Sequence, residues 1–378
     1  MRIAIDARLY GLENAGIGRY TMNLIDQIEK LDKENEYLIL LRKKYFDSLR
    51  FTNKNFHKVL ADIPHYSSKE QFLFPLQLIK LKADLVHFPH FNAPILYKGK
   101  YVVTIHDLIK HTSRGIQTTT RAKWLYWFKY VGYKIVVHQA VDRAIRIFVP
   151  SQAVKDDLLN NYSLPSEKVI ITYEGVDEKF RSNKDEVKRA KEILDKYQIK
   201  KPFVIYTGSV YPHKNIKRLI QAIKLINDPW VNLVVSCARS NFWKKLNNDV
   251  EKLKMEDRVK LVGFVPDDEL VMLYHEAEVF VLPTLTEGFG LPGIEAMSSG
   301  LPVICSDIPA LREIYGSGAI YFDPFNTEEI AERIIEVCKF DKIKRTSQIE
   351  KGLIRVKKYS WKKMTKETLK VYKEALNV

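Results

Sequence analysis

The sequence predicts two α/β domains, each a parallel sheet with helices on both faces. Three observations lead there. Short apolar or β-branched runs alternate with longer amphipathic stretches, which is the pattern of strand–helix–strand units. The alternation stops around residues 175–200 and then restarts. The chain has 378 residues, and at roughly 100–200 residues per domain that length suits two.

Taken in order, Ile3–Ile5, Tyr37–Leu41, Leu85–Phe88, Val102–Ile105 and Ile145–Val149 read as strands, being short, apolar and bounded by polar residues. Residues 18–31, 70–82 and 121–143 read as the helices between them. The segment GVDEKFRSNKDEVKRAKEILDKYQIKKP is charged, poor in β-branched residues and closed by Pro202, so it reads as a connection leading into a helix. Strands are then expected at Phe203–Thr207, Val231–Ser236, Val259–Val262, Val279–Leu282, Pro302–Cys305 and Ala319–Phe322. No tandem repeat or low-complexity tract interrupts the pattern.

Composition narrows the class. Hydrophobic residues make up 46% and charged residues 28%, too apolar for a disordered chain. Lys+Arg 61 against Asp+Glu 46 gives a net charge of +15. Nucleic acid, an acidic membrane surface or a phosphorylated small molecule all match that charge. Cys237, Cys305 and Cys338 are far apart without CxxC spacing, as expected of inert thiols in a reducing compartment. MRIAIDARLYG reads as a strand entering a turn rather than a signal peptide, and no run approaches the ~18 apolar residues of a membrane span. A cytosolic protein, with a membrane surface as a partner, is expected.

In open parallel sheets ligands bind beyond the carboxyl ends of the strands, so chemistry is sought where strands stop. The richest segment is PTLTEGFGLPGIEAMSSG, residues 283–300. Glu287 lies in a loop with Gly288, Phe289 and Gly290. Pro292 suits a helix start, Glu295 is expected in the first turn, and amides near Leu291 and Gly293 are expected to be free for an anion. A tight connection with two solvated glutamates is the plainer alternative, and the glycines and Pro292 argue against it.

GSVYPHKN, from Gly208 to Asn215, is a second phosphate candidate: a glycine for close approach, then His213 and the point charge of Lys214 at a helix start. It lacks the GKS/T ending of a Walker loop. NAGIGRY, with Gly16 and Gly18, lacks the third glycine of the dinucleotide fingerprint. His106 and Asp107 follow the strand Val102–Ile105, where a histidine is expected to point into the ligand cleft; a turn-capping pair is the plainer reading. His87 and His90 flank Pro89, which prevents a regular helix. No Cys/His/carboxylate set completes a metal site. No two aspartates lie two residues apart, so phosphate charge is left to Lys, amides and helix dipoles.

RGIQTTTRAKWLYWFKYVGYK, residues 114–134, interleaves Trp124, Tyr126, Trp127, Phe128 and Tyr130 with Arg121, Lys123, Lys129 and Lys134. It reads as a core helix with snorkelling lysines, as a surface helix resting on anionic lipid, or as a stacking platform for single-stranded nucleic acid.

At these residues the chain resembles a retaining glycosyltransferase of the GT-B fold, in the large family 4 of nucleotide-sugar-dependent enzymes. The carriers are the E-x7-E block Glu287–Glu295 in EGFGLPGIEAMSSGLPV, then GSVYPHKN, GFVPDDEL at 263–270, IHDL at 105–108, AGIGRY and YSWKKM at 359–364. The resemblance covers nearly the whole chain in order. It implies two Rossmann-like domains with a cleft between them: an acceptor-binding domain at 1–175, a nucleotide-sugar-binding domain at 176–358, and a helix at 359–378 packing back on the first.

The resemblance also implies roles. Glu287 and the amides around Gly290 and Leu291, beside Gly288 and Phe289, would hold the donor sugar and pyrophosphate. Glu295 would bind the ribose, Lys214 the leaving phosphate, and the backbone near Phe264 the base. His106 would contact the transferred sugar, and Gly16 would border the phosphate. Asp107, Arg121, Lys123, Trp124 and Trp127 would face the acceptor or a membrane. No metal or other cofactor is required by that pattern. FNAP (91–94), TIHDL and GSVYPHKN look most like bacterial mannosyltransferases of surface-polysaccharide assembly, which implies GDP-mannose as donor and a saccharide acceptor, lipid-linked at the inner membrane face.

Two departures stand out. His213 replaces the Arg or Lys that often precedes the phosphate-binding lysine. With an ordinary pKa near 6.5 it is expected to strengthen donor binding as pH falls from about 8 to 6. Ala15 stands where relatives often carry a second glycine. Three rival functions remain. A nucleotide-sugar epimerase of the same fold would lack this E-x7-E arrangement, a basic nucleic-acid-binding protein would leave both glutamates unexplained, and a silent scaffold would bind no nucleotide sugar.

Overall fold

In a computed structural model of the chain, which describes residues 1–109, 123–181, 187–227, 231–237 and 241–376, the alternation resolves into two all-parallel sheets. The described residues of Met1–Thr112, Arg121–Gly175 and Ser360–Val378 pack as one unit, and those of Val176–Tyr359 as a second.

The first sheet contains β1 (Arg2–Asp6), β2 (Glu36–Leu41), β3 (Phe56–Leu60), β4 (Leu85–Phe88), β5 (Tyr101–Thr104), β6 (Arg146–Val149) and β7 (Val169–Ile171), in the order β3-β2-β1-β4-β5-β6-β7. Register is parallel throughout, with Ile3 beside Tyr37 on one side and Leu85 on the other. Two of these strands, β3 and β7, are absent from the sequence reading. Phe56–Leu60 is an edge strand with only Phe56 buried, so its apolar signal is thin. Val169–Ile171 has three residues, too few to show a period.

Helix Ala15–Leu31 buries Tyr20, Leu24, Ile25 and Ile28, one stripe at helical spacing. The C-terminal helix Trp361–Ala375 packs on it, burying Trp361, Met364, Thr368, Val371 and Tyr372. Helix Ser68–Lys80 is capped by Ser67, whose hydroxyl accepts from the Glu70 amide. It shares a core with helix Lys123–Arg143, to which they contribute Phe74, Leu78, Val137 and Ala140.

The second sheet contains β8 (Phe203–Thr207), β9 (Asn232–Ser236), β10 (Val259–Gly263), β11 (Val279–Leu282), β12 (Val303–Ser306) and β13 (Ala319–Phe322), ordered β10-β9-β8-β11-β12-β13. Each strand expected from the sequence is present here, within a residue at either end. Helix Ile216–Leu225 buries Ile216, Leu219, Ile220 and Ile223, each worth about 1.5–3 kcal/mol against exposure. Helix Leu291–Ser298 is buried along almost its whole length.

Cys237 and Cys305 are buried, and burial raises both thiol pKa values, that of Cys237 to about 12. Neither is a thiolate at neutral pH.

Candidate active site

In the second unit, strand order reverses between β8 and β11, which pair directly. That is where an open parallel sheet leaves a crevice for ligand. The loop after β8 carries Gly208–Asn215 and the loop after β11 carries Pro283–Gly290. They meet through Lys214, whose Nζ donates to Glu287 Oε2 at 2.5 Å, with the two side chains 14% and 17% exposed.

Main-chain bonds hold the loops in place. The Leu285 amide donates to the His213 carbonyl at 2.8 Å. Asn215, left-handed at φ 60°, donates from Nδ2 to the carbonyls of Pro283 (3.0 Å) and Pro324 (2.8 Å). The Gly208 amide donates to the Ser236 carbonyl, tying the phosphate-loop candidate to β9. Among the described residues Glu287 is the one hydrogen-bond partner of Lys214 Nζ, and an ammonium has three donors. A phosphate arriving at Lys214 competes with Glu287, and the released carboxylate can accept hydroxyl hydrogen bonds.

His213 departs from expectation. Burial, then the neighbouring charge of Lys214, push its pKa down to about 3, so it is neutral from pH 6 to 8. In the free protein it therefore carries no charge of its own toward the expected gain in donor binding at pH 6. Its ring lies parallel to Tyr211, centroids 5.9 Å apart, and its carbonyl is its contribution to the loop.

The glycine-rich block is shaped from beneath by Tyr315. Gly290 sits at φ 84°, and its carbonyl accepts from the fully buried Tyr315 hydroxyl at 2.5 Å. A Cβ at Gly290 would lie 2.4 Å from that oxygen, so only glycine fits. Two expectations are corrected. Glu295 falls in the second turn, because the helix already begins at Leu291, and it is buried at 4% exposure. The Gly293 amide is not open to an anion, since it donates to the Gly290 carbonyl at 3.1 Å. Gly288, Phe289 and Leu291 are buried, with Phe289 edge-on to Tyr359. Phe264 follows the edge strand β10 and is 55% exposed.

In the first unit, His106 follows β5 but does not present a free ring to solvent. Its Nδ1 lies 3.1 Å from Glu174 Oε1 and its Nε2 2.9 Å from the Pro89 carbonyl oxygen. Both ring nitrogens are engaged inside the unit, and the side chain is 10% exposed. Tyr20 stands edge-on to it at 4.7 Å. Behind them Tyr20 and His87 Nε2 share Thr104 Oγ1 at 3.1 and 2.8 Å, and His87 Nδ1 meets the Tyr372 hydroxyl at 2.5 Å. Burial, and then the charge at His106, push His87 down to about 3.

Asp107 closes a turn, accepting from the Ile109 amide at 3.0 Å. Gly16 is exposed, and a Cβ there would meet nothing within 4 Å. Gly18 is the spatially required glycine of the loop, since its Cβ would overlap the Gly11 carbonyl. Ala15 takes φ 52°, ψ −136°, backbone that favours glycine. Trp127 is 51% exposed. Arg121 lies outside the described residues, as do the side chains of Lys123 and Trp124.

Sequence reading misses Glu174, Tyr20 and Tyr372. A glutamate before Gly175 at the end of a short β-branched run was the one local signal for Glu174.

Two Rossmann-like parallel sheets of this strand order define a GT-B protein, and comparison with known proteins agrees. Alr3699/HepE of Anabaena, solved with UDP and glucose, superposes with a TM-score of 0.77 at 17% identity, covering 99% of this chain and 100% of that one. WaaG, a glycosyltransferase of lipopolysaccharide biosynthesis, superposes with a TM-score of 0.76 at 14% identity, covering 98% and 99%. The model for glycosyl transferases group 1 matches residues 189–354, and that for glycosyltransferase family 4 matches residues 15–180. O-antigen chain mannosyltransferase B of Escherichia coli is 27% identical over 95% of this chain and 96% of its own. O-antigen chain mannosyltransferase RfbU of Salmonella typhimurium is 34% identical over 83% and 84%.

The chain belongs to glycosyltransferase family 4. It is a nucleotide-sugar-dependent hexosyltransferase. Among the described residues no helix is long and apolar enough to cross a membrane.

Proposed function

We propose that the protein transfers mannose from GDP-mannose, with retention and without a metal, to a hydroxyl of a lipid-linked saccharide during cell-surface glycan synthesis at the inner membrane face. The observation that carries the donor site is the Lys214–Glu287 pair at the β8/β11 switch point. The bond from the sugar C1 to the leaving phosphate oxygen breaks, the acceptor oxygen bonds to C1 on the same face, and its proton passes to the departing phosphate. Lys214 meets the charge that develops on that phosphate, usually the largest catalytic term. Glu287 takes sugar hydroxyls, Glu295 the ribose, and the backbone at Phe264 the base. The choice of mannose rests on the names of the two O-antigen relatives.

A membrane-bound acceptor is supported by the first unit. Phe72, Leu73, Leu76 and Ile79 stand exposed on helix Ser68–Lys80, and Trp127, Val131 and Ile135 on helix Lys123–Arg143. Lys69, Lys80 and Lys82 are exposed nearby. Glu70, the one acid of the first of these helices, is buried against Arg8. Exposed apolar side chains on these helices, with lysines close by in sequence, fit an anionic bilayer.

The test is thermal stability against GDP, UDP, ADP and dTDP with and without EDTA, then turnover with vesicle-borne acceptor. GDP at about 100 times its Kd adds roughly 2.7 kcal/mol, EDTA changes nothing, and mannose transfer follows. A shift with UDP alone rejects the GDP-mannose donor, and no shift with any nucleotide rejects the donor site.

A further inference from the structure

Both ring nitrogens of His106 face acceptors: a carboxylate oxygen of Glu174 at 3.1 Å and the Pro89 carbonyl oxygen at 2.9 Å. A neutral imidazole donates from one nitrogen and accepts at the other, so it cannot satisfy two acceptors. Only the imidazolium donates from both. Glu174, with its side chain 6% exposed, is placed to supply the counter-charge.

We infer that Glu174 is a positioning residue: it holds His106 as an imidazolium whose two N–H groups tie together the segments that follow β4, β5 and β7. Pro89 directly follows β4, His106 lies two residues beyond β5, and Glu174 three beyond β7. One cation thus fixes three of the loops at the carboxyl edge of the first sheet.

The surrounding groups agree. Burial opposes charge on His106, but the Glu174 hydrogen bond and charge, the Pro89 carbonyl and Asp107 outweigh it and leave the pKa above its ordinary value. Tyr20, edge-on to the ring, is kept as a neutral phenol by burial. His87, behind Thr104, is neutral.

An imidazolium with both N–H groups spent has no lone pair with which to take a proton from an acceptor hydroxyl. His106 therefore acts through the position and charge it gives its loop, and the acceptor proton leaves by another route.

The test reads the charge state directly. Long-range ¹H–¹⁵N spectra of the histidine rings, with His106 assigned by loss of its signals in His106→Gln, are recorded on the full chain without donor. The expected wild-type result is an imidazolium pattern at pH 8. In Glu174→Gln the ring is neutral at that pH, and in Glu174→Asp it is again charged.

The kinetic arm rests on the transferase reading. With an ordinary pKa of about 6.5, at most about 3% of His106 is charged at pH 8, so kcat of Glu174→Gln falls about tenfold or more there and recovers toward pH 6. A neutral ring in the wild type at pH 8 overturns the inference, as does an imidazolium in Glu174→Gln. A loss of equal size at every pH in both variants also overturns it, because a merely structural contact would behave that way. If Glu174→Gln does not fold, the wild-type spectrum decides. If the wild type itself transfers no sugar, the transferase reading fails while the spectrum still stands or falls alone.

Discussion

The two units carry sheets of related strand order, and each brings a cation and a glutamate together at its carboxyl edge. In the second unit Lys214 meets Glu287 once, with both side chains partly exposed. In the first, His106 meets Glu174 and Pro89, and both of its donors are consumed. An ammonium with donors to spare can exchange a carboxylate for a phosphate, whereas a saturated imidazolium can only hold what it already holds. On the proposed reading, similar charge pairs thus serve opposite ends: one would take a ligand and the other would be part of the frame.

The largest effect expected from that contrast is on turnover. Lys214→Met is expected to lower kcat about 10²–10³-fold, the usual loss when a donor to developing charge is removed. A fall of less than tenfold in steady-state assays breaks the comparison. In the stability cycle of Lys214→Met, Glu287→Gln and the double variant, the coupling is expected at about 1–3 kcal/mol. The double variant is expected to be steadier than either single one, since each single one leaves a charge without its partner and the double leaves none. Additive losses in chemical denaturation reject direct coupling.

Acid titration is expected to have a smaller effect and to separate the histidines. Burial lowers the pKa of His87 and His213 to about 3 and, with Arg8 adding to it, that of His65 to about 4. Below their unfolded pKa of about 6.5 the unfolded chain binds protons that the folded chain does not, so stability falls from about pH 6.5 toward pH 3–4. His106 has the opposite sign: its raised pKa adds stability that is full below about 6.5 and lost as pH rises through the folded value. Melting temperatures of His87→Gln across pH 7 to 4 check this, the variant being expected to lose less than the wild type. GDP affinity that stays flat between pH 8 and 6 sharpens the same point for His213.

The smallest expected effect is at Ala15. Its φ of 52° with ψ of −136° costs on the order of 1 kcal/mol in a non-glycine residue, so Ala15→Gly is expected to raise stability by about that amount. Unchanged or lower stability in urea unfolding would show that the unfolded-state entropy of glycine cancels the relief.

Local pattern made much of this legible. Strands β8 to β13 are short apolar runs between polar boundaries, and the helices between them repeat apolar residues every three or four positions, which neighbouring residues alone can express. Edge strands were harder: Phe56–Leu60 pairs on one side only and leaves most of its side chains at least partly exposed. The E-x7-E block was legible because a left-handed glycine at the cap, Gly290, and a proline just inside the helix, Pro292, are local marks of a helix start. Its detail was not: Tyr315, which shapes Gly290, lies 25 residues away, and it pins the carbonyl around which the turn forms.

By itself the sequence determined the two alternating α/β halves, the charged stretch near their junction, the residues at the strand ends and the family they resemble. Each of these is written in spacing along the chain. Only tertiary structure decided which charges meet. Lys214 and Glu287 are 73 residues apart and His106 and Glu174 are 68 apart, and they meet because strand order places their loops together. Burial lowers the pKa of the imidazole at His213 and His87, whereas at His106 the Glu174 carboxylate beside it outweighs the loss of water and raises the pKa.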